Sequence, residues 1–238
     1  MLYDYLDTLV LRIKLEMAGI SRMIRSISVP LLIGVFPIVV INITYLVSAS
    51  EGYVPWCVPY WDSCTSISAT GRSGTAFFIF KATMIPAAML LMWYWILAAR
   101  KLNRFGKTVH AIPVIGVIGA IFLIVYTIAL GAEGDMFKLQ RRIGIIVFFT
   151  FTYLAQLLFT YRVEKLALSD PTYPIQYTLC SMVLAIGLLT LILDVTLENY
   201  DDYEDAFEWI IALLLQCYFI VSHWSWKNFQ VKRGEEIS

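Results

Sequence analysis

Lys81, Arg141 and Arg142 are bases set in or beside long apolar stretches. Such groups are costly in hydrocarbon unless they turn inward or pair. Asp194 and Glu208 are carboxylates at a matching depth, so an ion pair from Lys81 to one of them is expected. That pair would either lock two helices together or form part of a site for a polar headgroup. Ser66 and Ser68 add hydroxyls on the same side, and Asp62, Glu133 and Asp135 add carboxylates. Bases in this company suit an anion such as a phosphate, because a guanidinium presents a planar fork of donors. The carboxylates would orient the bases or take part in proton transfer.

Other chemistries lack their parts. His110 and His223 are the two histidines, and neither has a partner at metal-ligand spacing, so no metal is expected. The serines around Ser66 have no G-x-S-x-G elbow and no histidine on their side, which argues against a Ser–His–Asp triad. No basic stripe with interleaved aromatics is present, so nucleic acid is not an expected partner. No cofactor is expected, and no motif assigns a catalytic step.

The elements that must position these residues are six apolar runs, at about Val29–Ser48, Phe77–Ala99, His110–Gly131, Ile143–Arg162, Ile175–Leu197 and Phe207–Trp226. Each holds roughly 20 residues, enough for a helix to cross a hydrocarbon layer about 30 Å thick. Of 238 residues, 59% are hydrophobic and 15% charged. A soluble domain carries nearer a quarter charged residues, so the fold class is all-α, an integral membrane six-helix bundle. Of the 18 Lys and Arg residues, 13 lie before span 1, between spans 2 and 3, or after spans 4 and 6. The positive-inside rule then puts both termini in the cytoplasm. The expected location is the plasma or inner membrane of a prokaryote, or an endomembrane of a eukaryote. Span 1 reads as an uncleaved signal anchor, and the sequon at Asn42 falls inside it, out of reach of glycosylation.

Residues 1–27 carry Leu6, Leu9, Ile13, Met17, Ile20 and Ile24 at helical spacing, with Arg12, Lys14, Arg22 and Arg25 elsewhere. This predicts an amphipathic interfacial helix on the cytoplasmic leaflet, attracted to anionic lipid; packing against the inner ends of the bundle is the alternative. Residues 28–228 form the transmembrane domain and 229–238 a cytoplasmic tail. The first extracytoplasmic loop, Ala49–Thr75, is long and rich in aromatics, prolines and hydroxyls, which predicts a folded cap. Cys57 and Cys64 within it are either a disulfide or two free thiols, while Cys180 and Cys217 read as small packing residues. Joints at Gly131–Arg142 and Leu197–Asp205 lie on the same side.

Polar residues also recur on span faces. Glu208, Ala212, Gln216 and His223 share one face of span 6, and Tyr153 and Gln156 lie in a stripe of span 4. Such stripes either bond between helices or line a cavity for an amphiphile. Gly116 and Ala120 make a small-xxx-small face in span 3, the mark of close helix packing.

The order of several short motifs resembles the Frag/DRAM/Sfk family of six-span proteins. Cys57-Val58-Pro59 is followed by Ser66, Ser68, Ala69, Gly71 and Phe80, then by Tyr94-Trp95. Gly134-Asp135 precedes Ile143-Gly144 and the run Phe148 to Leu158, and Ser222-His223-Trp224-Ser225-Trp226 closes span 6. Many members have a histidine just before the Ile-Gly of span 4, where this chain has Arg141 and Arg142. The family includes the eukaryotic factor that remodels GPI-anchor lipids, so the resemblance implies GPI-anchor or phospholipid work. The reading is a protein that binds or remodels lipid through an anionic-headgroup site on the extracytoplasmic side. The alternative is a non-catalytic scaffold or regulator that recruits a protein partner at the cytoplasmic face through its basic helix and loops.

Overall fold

The computed structural model describes residues 29–103, 110–165, 172–197 and 199–235. The interfacial helix expected over residues 1–27 lies outside them. All elements among the described residues are helical: α1 (Val29–Ser50), α2 (Pro59–Asp62), α3 (Ile67–Thr70), α4 (Gly74–Leu102), α5 (Ala111–Ala129), α6 (Asp135–Lys165), α7 (Tyr173–Thr196) and α8 (Asp201–Glu235). Six of them are long and apolar enough to cross a membrane, and the chain is a multi-pass integral membrane protein. At about 1.5 Å per residue, the 22 residues of α1 reach about 33 Å, which matches the hydrocarbon thickness.

Helix ends and span ends do not coincide. α6 begins at Asp135, although the apolar run begins at Ile143. Most of the joint expected over Gly131–Arg142 is therefore helix, and the true turn is confined to 130–134. Gly131 (φ 77°) and Gly134 (φ 110°) set that turn. Hydropathy marks where lipid begins, while backbone geometry marks where a helix begins. At the other extreme α8 runs on to Glu235, into the segment expected as a tail.

The six long helices form a ring in the order α1, α4, α5, α6, α7, α8, with α8 closing onto α1. Without a hydrophobic force between helices in lipid, close fit and hydrogen bonds hold such a ring together. Gly116 shows the fit: a Cβ there would run into the Trp95 indole, which is fully buried. Ala120, one turn further, is also fully buried, as the small-residue face requires. Gly34 brings α1 against the backbone of α8 at Gln216 and Ile220. α7 is the loosest member. Its buried residues, Gln176, Cys180 and Val183, all lie in its first half.

Polar groups tie the ring at the end away from the cap. Gln156 Nε2 donates to the Leu215 carbonyl at 3.0 Å, and the hydroxyls of Thr160 and Tyr218 lie 2.8 Å apart. Gln176 Nε2 donates to Ser222 Oγ at 3.1 Å, joining α7 to α8. Tyr94 stacks on Trp226 with centroids 5.1 Å apart, and Lys101 Nζ sits 3.9 Å from the Trp226 ring.

Candidate functional site

The cap follows from a few anchored side chains. Cys57 and Cys64 form a disulfide with Cα atoms 6.6 Å apart, closing a ring around α2. Val58 and Pro59 start that turn, and Asp62 accepts from the Val58 amide at 2.7 Å, so this carboxylate is spent locally. Tyr60 reaches down to Asn42, whose Nδ2 meets its hydroxyl at 3.0 Å. Burial pushes the Tyr60 phenol above its ordinary range, opposed by the Asn42 bond. The Tyr45 hydroxyl donates to the Cys57 carbonyl and accepts from the Cys57 amide, both at 2.7 Å. Trp209 of α8 donates from Nε1 to the Thr65 carbonyl at 2.8 Å, and its ring meets Tyr60 at 5.0 Å. Ser63 Oγ accepts from the Ala206 amide at 3.1 Å. These bonds fix residues 55–66 against the ends of α1 and α8.

The expected pairing of Lys81 with Asp194 or Glu208 is corrected by the structure. Lys81 Nζ donates to the Ile128 carbonyl at 3.1 Å and lies 4.2 Å from the centre of the Phe77 ring. Arg141 Nη1 donates to the carbonyls of Ala129 at 3.0 Å and Ala132 at 2.8 Å. Both bases therefore serve the last turn of α5, whose terminal carbonyls have no partners within their own helix, and Arg141 also holds the turn that follows it. Arg142 is exposed beside them on α6, Glu133 is exposed in the turn, and Asp135 pairs with Lys138 at 3.3 Å. Asp194 is exposed on the loosely packed half of α7. Ser66 caps α3 by accepting from the Ala69 amide at 3.1 Å. Ser68 accepts from Arg72 Nη2 at 2.6 Å.

Two recesses result. The first is an open groove of about 700 Å³ at the cap end, lined by Glu51, Tyr53, Arg72, Ser73, Thr75 and the rings of Phe77 and Phe78. Glu51 Oε2 accepts from the Thr75 amide at 2.9 Å, satisfying one of the free donors at the start of α4. Gly74, at φ 61°, is required there, since a Cβ would collide with the Glu51 carboxylate and the Tyr53 ring. Ser73 flanks the same helix start without using its side chain as a cap. Phe78 is 69% exposed and carries the groove down onto the lipid-facing side of α4.

The second recess is a narrow cavity of about 60 Å³ between α1, α4, α5, α6 and α8. Its walls are almost all apolar, among them Ile41, Met84, Leu123 and Phe148. Ile67 of α3 forms its lid, and Glu208, Ala212 and Gln216 supply one wall at successive turns of α8. Gln216 is buried, and its Oε1 has no hydrogen-bond partner among the described residues. The stripe on α8 thus lines a cavity, while the one on α6 is divided. Gln156 bonds to α8, and Tyr153 is half-buried. His223 lies beyond the cavity, half-buried beside the Trp224 ring at 5.7 Å.

The model of the Frag1/DRAM/Sfk1/Cwh43P N-terminal domain matches residues 25–229. The chain belongs to this family. The match spans all six long helices and the cap, so the Frag1-type domain is the bundle itself rather than an appendage to it. No curated protein matches the chain, and no solved structure matches it either.

Two residues that line the groove, Arg72 and Glu51, are not among those singled out from the sequence. The one signal available was Arg72's place, two residues before the start of a span.

Proposed function

We propose that the chain binds a membrane lipid at the cap end of the bundle, with a phosphate-bearing headgroup held by Arg72 and the hydroxyls of Ser73 and Thr75. The observation that carries this reading is the groove itself. Its lining joins the polar side chains of Glu51, Arg72, Ser73 and Thr75 to the rings of Phe77 and the exposed Phe78, a mixture that suits an amphiphile. Lipid work is also what Frag1-family membership suggests. Lys81, Arg141 and Ser68 support the site from behind, by fixing the end of α5 and orienting Arg72. The distribution of lysine and arginine supports an extracytoplasmic position for this end. Binding is the part of the expected binding-or-remodelling role that this geometry supports. The scaffold alternative rests on residues 1–27 and on the loops at the far end, and no contact among the described residues favours it.

Native mass spectrometry of the detergent-purified protein tests the reading. Wild type should retain phospholipid adducts that Arg72→Gln loses while keeping its thermal stability. Equal retention by a folded Arg72→Gln variant would overturn it.

A further inference from the structure

We infer that the groove selects a zwitterionic headgroup, a phosphate diester joined to an ammonium as in phosphoethanolamine and phosphocholine lipids, over a purely anionic one. This rests on the proposed lipid site and adds the class of lipid to it.

Three observations carry it. The first is that the bases expected to make the site strongly positive are engaged elsewhere. Lys81 and Arg141 donate to the carbonyls of Ile128, Ala129 and Ala132, and neither lines the groove. The second is that a carboxylate shares the groove with the guanidinium. Glu51 and Arg72 both line it, so its charged lining is one positive and one negative group. Glu51 is exposed, and its Oε2 is the atom on the Thr75 amide, so Oε1 is not used in that bond. Gly74 at positive φ lets that carboxylate approach the start of α4, so the placement is built into the backbone. The third is the aromatic wall. Tyr53 is 57% exposed and lines the same space, a surface that attracts ammonium groups. Phe77 already holds the Lys81 ammonium, which leaves Tyr53 for the ligand.

A phosphate at Arg72, Ser73 and Thr75 would put a tethered ammonium within reach of Glu51 and Tyr53. A phosphatidylglycerol headgroup brings the same phosphate diester but has no ammonium to meet the Glu51 carboxylate. Like charge at close range is how a site rejects a wrong ligand.

The test titrates the purified full chain with dioctanoyl phosphatidylethanolamine, phosphatidylcholine and phosphatidylglycerol, reading binding by native mass spectrometry and calorimetry. Wild type should prefer the two zwitterionic lipids by about tenfold, which is roughly 1.4 kcal/mol. Glu51→Gln keeps an acceptor for the Thr75 amide and should erase that preference while still binding. Arg72→Gln should weaken all three lipids together. Wild type that binds phosphatidylglycerol as well or better, with Arg72→Gln still weakening it, overturns the zwitterion inference and leaves the lipid site standing. Lipid binding indifferent to Arg72→Gln removes both. Chain-free glycerophosphoethanolamine should bind far more weakly than the lipid. Equal binding would give the groove to a water-soluble ligand and overturn the lipid assignment.

Discussion

Lys81 of α4 donates to the carbonyl of Ile128, 47 residues later, at the last turn of α5. Arg141 reaches the same turn from the other side, on Ala129, and the loop just beyond it, on Ala132. A helix that ends near the membrane boundary leaves carbonyls with few partners, and a cation is the group that satisfies them best. Three neighbouring elements, α4, α5 and α6, are thereby stitched at one point.

This arrangement makes Arg141 a stabilising residue. Hydrogen bonds to a charged group contribute about 1.5–3 kcal/mol. Arg141→Ala should therefore lower the thermal midpoint in detergent by several degrees, and Lys81→Ala by a smaller step because its bond is more exposed. Arg142→Ala, at an exposed position, should leave the midpoint unchanged. Scanning fluorimetry of the three variants checks the order, and an Arg142→Ala loss equal to that of Arg141→Ala would remove the argument.

A second contrast comes from two glycines in long helices. At Gly116 a Cβ would meet the buried Trp95 ring, whereas at Gly187 nothing lies within 4 Å. Gly116→Ala should cost about 1–3 kcal/mol as overpacking. Gly187→Ala should be neutral or slightly stabilising, since alanine is the better helix former. Thermal midpoints decide between them, and a tolerant Gly116→Ala would mean that α4 and α5 pack more loosely than described.

How far the sequence could be read follows from the same particulars. The six spans were legible because hydrocarbon thickness fixes a length, and Gly116 with Ala120 was legible because close packing needs small residues at helical spacing. The ends of α6 and α8 were not, because charged helix outside lipid has no apolar signature. The partners of Lys81 and Arg141 were hidden for a simpler reason: a backbone carbonyl looks the same at every position. The cap was expected to fold, but its fold depends on Ala206 meeting Ser63 across 143 residues, a pairing no local pattern announces.

Tyr60 gives the cap a dependence on alkaline pH. Burial raises its phenol above the ordinary value of 10.0, with the Asn42 bond pulling the other way. A folded-state value above the unfolded one means the protonated form is favoured in the fold. Its stabilisation is complete below pH 10 and fades as pH climbs through the raised value. Cap loosening at high pH should therefore be partly absent in Tyr60→Phe, followed by proteolysis of residues 51–73 between pH 9 and about 11. Identical profiles for the two proteins would show that Tyr60 does not titrate within the folded cap.

Trp209 sets the lid of the narrow cavity. Its indole N–H is on the Thr65 carbonyl, and Thr65 is 4% exposed, so Trp209→Phe keeps a ring but leaves that carbonyl buried without its donor. Such a group costs about 1–3 kcal/mol. The disulfide cannot compensate, because it tethers residues 57–64 and α3 begins beyond it at Ile67. The loss should thus be local. Amide exchange over residues 65–71 should quicken, roughly tenfold for each 1.4 kcal/mol, while the α2 turn and the long helices keep their protection. Reducing the disulfide in wild type should give the converse pattern, with faster exchange at 57–64 and little change at 65–71. If both treatments loosened the whole cap together, the cap would be one cooperative unit, and α3 could not open as a lid on its own.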